Sequence, residues 1–305
     1  MPGRRSLFLH VGLPHCGSSA LQDWAGTNRA LLAAQGLVWP DTDDCGLMAA
    51  RHRWLVSALR HGPDGRLPAV LAQAEGDVLI SAEGLTLHFH DFAPEHLAWF
   101  RDVTAGWDVR LILMTRDLSG WQRSMWKQCM INPPEEGMDF ALDLDMADFA
   151  ARPRVQKLTD LKGLRRDLAA GFGARDLIEL SSLDNWMPKL ARLIDIDATG
   201  ATVPERRHES IADSVVPAVL RINALGAQGG PRDALLALMQ DTLDTRNDTL
   251  RELARRHEAR LDAGAEALAA LLDELEADSR AEPTTAWLFQ AMAEQLQRRR
   301  QEDPT

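Results

Sequence analysis

Eight residues near the start of the chain, Gly12-Leu-Pro-His-Cys-Gly17-Ser18-Ser19, combine types and a spacing that can hold an anion. An apolar run at 7–11 leads in and an amphipathic segment beginning at Ser18 leads out. In such a strand–turn–helix, backbone N–H groups converge at a helix N-terminus, where the helix dipole favours negative charge. Gly12 and Gly17 have the spacing of the nucleoside-triphosphate loop GxxxxGK[ST], with Ser19 at the hydroxyl position. Ser18 stands where that loop needs lysine, and no acidic magnesium partner follows a strand, so ATPase or GTPase chemistry is disfavoured. His15-Cys16 also begins like a cysteine-phosphatase loop. That chemistry needs an arginine six positions after the cysteine, and residue 22 is glutamine. Cys16 therefore reads as a small loop residue, not as a nucleophile.

A second anion-binding pattern lies about 100 residues further on. The apolar run at 109–115 ends at Arg116-Asp117, and Ser124 follows Arg116 by eight residues, inside the next helical segment. A guanidinium at a strand end gives a bidentate charged contact, and a serine hydroxyl one or two turns into the helix adds a donor to the same anion.

Together the two motifs resemble those of the bacterial sulfotransferases that use 3′-phosphoadenosine 5′-phosphosulfate (PAPS). The family's loop reads Pro-Lys-[Ser/Thr/Ala]-Gly-[Ser/Thr]-[Ser/Thr] after a first strand, and Pro14-His15-Cys16-Gly17-Ser18-Ser19 follows it with one departure, His15 in place of the lysine. The resemblance implies that Pro14, His15, Cys16, Gly17, Ser18 and Ser19 hold the 5′-phosphosulfate and that Arg116 and Ser124 hold the 3′-phosphate. Val78-Leu-Ile-Ser-Ala-Glu83 resembles the family's middle strand. Pro204-Glu-Arg-Arg-His-Glu-Ser210 resembles a late loop whose basic residues touch the nucleotide, here Arg206 and Arg207. The likeness covers residues 7–225.

Sulfuryl transfer to a hydroxyl or amine requires an acceptor that loses a proton, an in-line donor, and stabilisation of charge on the leaving phosphate. Glu83, directly after an apolar strand, is the expected base, with His88 and His90 as the alternatives. His15 is the expected donor to the leaving group: histidine is neutral at pH 7 unless an anion raises its pKa, and the nucleotide's phosphates supply one. The expected reaction moves a sulfuryl group from PAPS to a small molecule or glycan. Two other readings stay open, a non-catalytic nucleotide-binding protein of the same fold and, less favoured, an ATP-using P-loop kinase.

The elements that must position these residues are legible as alternating patterns. Apolar runs at 7–11, 78–81, 109–115 and 177–180 read as buried strands, and segments 18–35, 49–60, 94–104, 118–130 and 155–170 as helices. The fold class that follows is α/β, a three-layer parallel sheet flanked by helices, with a C-terminal helical extension, and the resemblance implies that the sheet is of P-loop type. Residues 1–225 are the expected nucleotide-binding domain and 226–305 the extension. Within the extension, 233–278 reads as one long amphipathic helix interrupted near Gly264. Glu282-Pro283 reads as its end, and 287–300 as a final helix. This tail serves as a helical cap or as a homodimer surface.

Composition narrows the partners. The 305 residues are 45% hydrophobic and 26% charged, with a net charge of −11, more than half of it from Pro231 onward. That balance argues against nucleic acid and anionic membrane surfaces, though not against a small anion in a local pocket. No apolar run reaches the roughly 20 residues of a membrane span. The three cysteines lack the pairing or spacing of a disulfide framework or zinc site, so a reducing cytoplasm and no metal are expected.

Overall fold

The computed structural model describes residues 4–43, 51–135, 137–203, 209–225, 230–279 and 282–302. Two compact units make up the chain: Met1–Gln122 with Ala150–Arg206, and Arg123–Phe149 with Arg207–Thr305. This partition follows packing, whereas the boundary expected between 225 and 226 follows a change in composition.

The first unit is built on a parallel sheet of five strands flanked by helices: β1 (Ser6–His10), β2 (Leu37–Val38), β3 (Asp77–Ser81), β4 (Asp108–Thr115) and β5 (Asp176–Ser181). Their order is β2-β3-β1-β4-β5, all neighbours parallel. The centre of the sheet is β1, where Leu7, Phe8, Leu9 and His10 are all buried, as expected of a strand covered on both faces. The four expected strands are present with their ends moved by no more than a residue or two. A fifth, β2, is added at the edge; two residues are too few to give a periodic signal.

Several expected helices are divided. Segment 18–35 is two helices, α1 (Ser18–Thr27) and Arg29–Ala34, because Asn28 turns its amide onto the Trp24 and Thr202 carbonyls and accepts from the Thr202 N–H. Segment 155–170 becomes Pro153–Thr159 and Leu161–Phe172, separated where Asp160 caps the second by accepting from Gly163 N–H at 3.0 Å.

The second unit holds the C-terminal helices Gly230–Leu243, Asp248–Ala263, Ala265–Asp278 and Pro283–Glu302. The single helix expected over 233–278 is thus three. The break at Gly264 is present, and another lies at 244–247, where Asp244 has φ 44° and Asn247 Oδ1 accepts from the Thr249 and Leu250 N–H groups. Pro283 opens the last helix four residues before the expected start, since a proline lacks only an N–H that the first turn leaves unpaired anyway. No described helix is long and apolar enough to cross a membrane.

Candidate anion-binding site at the sheet's carboxyl edge

The strand order sets β1 between β3 and β4, so the residues that follow these three strands share one edge of the sheet. The chain leaves β1 toward β2 and leaves β4 toward β5. Neighbouring strands whose connections diverge in this way open a crevice beyond their carboxyl ends. The loop Gly12–Gly17, Glu83 after β3 and Arg116 after β4 all begin there.

The loop is held from two sides. Val11 and Leu13 N–H continue the pairing with β4 by donating to the Ile112 and Met114 carbonyls, each at 3.0 Å. From the other side, Thr86 Oγ1 donates to the Val11 carbonyl at 2.8 Å. The indole N–H of the fully buried Trp121 fastens the Pro14 carbonyl at 2.8 Å. Two glycines let the backbone turn. Gly17, at φ 83°, is the residue before α1, and Gly12 has φ 36°. His15 also lies in the left-handed region, at φ 61°, which costs a residue with a Cβ of the order of 1 kcal/mol. The N–H groups of Ser18 and Ser19, the first two of α1, have no acceptor within the helix and face its N-terminal end, while that of Ala20 donates to the Gly17 carbonyl at 3.0 Å.

Cys16 is fully buried, and burial pushes its thiol up to about 12, offset only in part by the charge of Arg116. A thiol so protonated is no nucleophile at neutral pH. Its N–H closes a turn on the Leu13 carbonyl at 3.3 Å. Arg116 lies half-buried, with Nε 3.6 Å from Asp117 Oδ1. Asp117 itself caps the next helix by accepting from Gly120 N–H at 2.7 Å.

Glu83 is largely buried and ion-paired with Arg51. Burial pushes its carboxyl up, but the Arg51 charge foremost, helped by the neighbouring His15 and His10 rings and the Ser18 hydroxyl, outweighs burial and holds it below the ordinary glutamate range. Glu83 and His15 are therefore close enough to influence one another. Of the two alternative bases, His88 is buried with Nδ1 3.3 Å from Asp91 Oδ2, and His90 is exposed with its ring against Phe89. Ser124 belongs to the second unit, where its hydroxyl hydrogen-bonds that of Ser210 at 3.0 Å. Arg206 and Arg207 lie outside the described residues.

Behind the loop is a buried polar group that motif reading passes over. His10, at the end of β1, is completely buried, and its Nδ1 lies 2.7 Å from Ser81 Oγ on β3. Gln22 Nε2 donates to the same oxygen at 3.1 Å. On its other side, Ser81 N–H donates at 3.0 Å to Nδ1 of His52, the residue before the helix Arg53–His61. Burial brings both histidines down to about 4, so both are neutral at pH 7. The one signal in the sequence was a histidine closing an otherwise apolar strand.

Family models, curated proteins and solved structures give no match to this chain. Among the described residues, no cluster of three or more His, Cys, Asp or Glu could hold a metal ion. The arrangement offers N–H and hydroxyl donors at a helix N-terminus, one arginine after the neighbouring strand, and an ionised carboxylate beside them.

Proposed function

We propose that this chain is a sulfotransferase that moves a sulfuryl group from PAPS to a hydroxyl or amine of a small molecule or glycan. The observation that carries the reading is the loop Gly12–Gly17 running from the central strand into the N-terminus of α1, with Arg116 at the end of the adjacent strand. Strand order supports the finer fold assignment, a three-layer sheet of P-loop type. In this reading Pro14 to Ser19 hold the 5′-phosphosulfate, and Arg116 holds the 3′-phosphate. Arg206 and Arg207 add basic contacts from the late loop. Glu83, kept ionised by Arg51, takes the acceptor's proton, and His15 donates toward the leaving phosphate. The cytoplasm is the proposed compartment, and the C-terminal helices are the proposed homodimer surface.

A second reading has its own support. The Glu83–Arg51 ion pair lowers the basicity of the carboxylate, and with His15 in the lysine position this favours a protein that binds the nucleotide without turning it over. One pair of measurements separates the readings. Adenosine 3′,5′-bisphosphate is titrated calorimetrically without magnesium, and labelled PAPS is offered with a panel of hydroxyl and amine acceptors. Binding with multiple turnovers supports the transferase, and binding without turnover supports the carrier. Absence of magnesium-free binding rejects both.

A further inference from the structure

The polar group behind the loop has a direction. Gln22 Nε2 donates to Ser81 Oγ, which leaves the Ser81 proton for its other neighbour, His10 Nδ1. A neutral histidine that accepts at Nδ1 carries its own proton on Nε2. His10 Nε2–H is therefore a fully buried donor, and it has no hydrogen-bond partner among the described residues. Buried donors in folded proteins are nearly always paired, so an unpaired one beside a loop points to a partner that arrives from outside.

Gly12 shows where this donor faces. A Cβ on Gly12 would stand 2.7 Å from Ser18 Oγ and 2.9 Å from His10 Nε2. The imidazole N–H and the serine hydroxyl thus both approach the Gly12 Cα closely, at the start of α1. A side chain there would collide with both polar atoms, so this position requires glycine. Glu83 lies near His10, but its charge is matched by Arg51, and an incoming anion meets an ion pair instead of a lone carboxylate.

We propose that His10 Nε2–H holds one oxygen of a tetrahedral oxyanion, a phosphate or sulfate group, at the start of α1, which makes His10 an additional binding residue of the loop. The proposal rests on the reading of this loop as an oxyanion site. It supplies a neutral donor to a loop that has lysine at neither position 15 nor position 18.

The test uses the full chain with inorganic phosphate and, separately, adenosine 3′,5′-bisphosphate. Glutamine places an amide near the Nε2 position of histidine, and asparagine reaches only the Nδ1 position. His10→Gln should keep phosphate affinity within a few-fold, while His10→Asn should lose about ten-fold or more. In the parent, ¹⁵N spectra should show His10 protonated at Nε2, with that signal moving when phosphate is added. Should His10→Asn fail to fold, the spectra of the parent alone decide. An unprotonated Nε2, a signal indifferent to phosphate, equal affinity in parent and His10→Asn, or no phosphate binding by the parent would each overturn the proposal. Phosphate binding that depends on His10, without bisphosphate binding, leaves the proposal standing and removes the nucleotide reading. Bisphosphate binding with His10 silent does the reverse.

Discussion

His10 and Ser81 are register partners on the neighbouring strands β1 and β3, and their side chains share a hydrogen bond of 2.7 Å in the buried interior. The contact joins the strand that feeds the anion loop to the strand that leads to Glu83. Ser81 is the hub, since Gln22 from α1 reaches the same hydroxyl. A single oxygen thus links β1, which feeds the loop, the helix α1 and the strand β3.

Replacing Ser81 with alanine should destabilise the fold by about 1–3 kcal/mol, because the buried Gln22 amide loses its acceptor and His10 Nδ1 loses its donor. Urea denaturation at neutral pH measures the change. A value near zero would mean that the network contributes nothing to stability.

Acid should weaken the protein well before its carboxylates titrate. His10 and His52 have folded values of about 4, against 6.5 for an unburied histidine. Between those values the unfolded chain binds protons that the folded chain excludes, so stability rises with pH across the window. It is fully present above about 6.5 and is lost as pH falls toward 4, with each histidine contributing of the order of 3 kcal/mol. Denaturant midpoints at pH 7.5 and pH 5 should differ, and His52→Asn should reduce the difference. Equal midpoints in the parent would show that the two rings are not held neutral.

If Glu83 is the base, Glu83→Gln should leave bisphosphate binding within a few-fold and lower turnover by about two orders of magnitude. Because Arg51 helps to hold the carboxyl below its usual range, the acid limb of the rate profile should lie below that of an ordinary glutamate. Arg51→Ala should move that limb to higher pH. Full turnover in Glu83→Gln would transfer the role to His88 or His90.

Arg116→Ala should weaken adenosine 3′,5′-bisphosphate by about 2–4 kcal/mol, since a charged ligand group loses its partner, and should change adenosine 5′-phosphate little. Calorimetry on both ligands checks the difference. Equal losses would mean that Arg116 does not read the 3′-phosphate.

Much of this fold is local in origin and could be read from the chain alone. The runs at 7–11, 78–81, 109–115 and 177–180 are apolar because both faces of a parallel sheet are covered, and that burial fixes strand identity without knowledge of the neighbours. Gly12 and Gly17 announce the loop because few other residues take up their backbone angles. The helix breaks at Asn28 and Asn247 were hidden because side chains carry them, Asn28 by reaching Thr202 and Asn247 by capping where no glycine or proline marks the end. The least legible part is the group beneath the loop. His10, Gln22 and Ser81 are far apart in the chain, as are Arg51 and Glu83, and none of them forms a motif with the others. Only the strand order β3-β1-β4 brings them to one place. Their neutral or ionised states follow from that burial and pairing, because a side chain's charge depends on what surrounds it in space and not on what adjoins it in sequence.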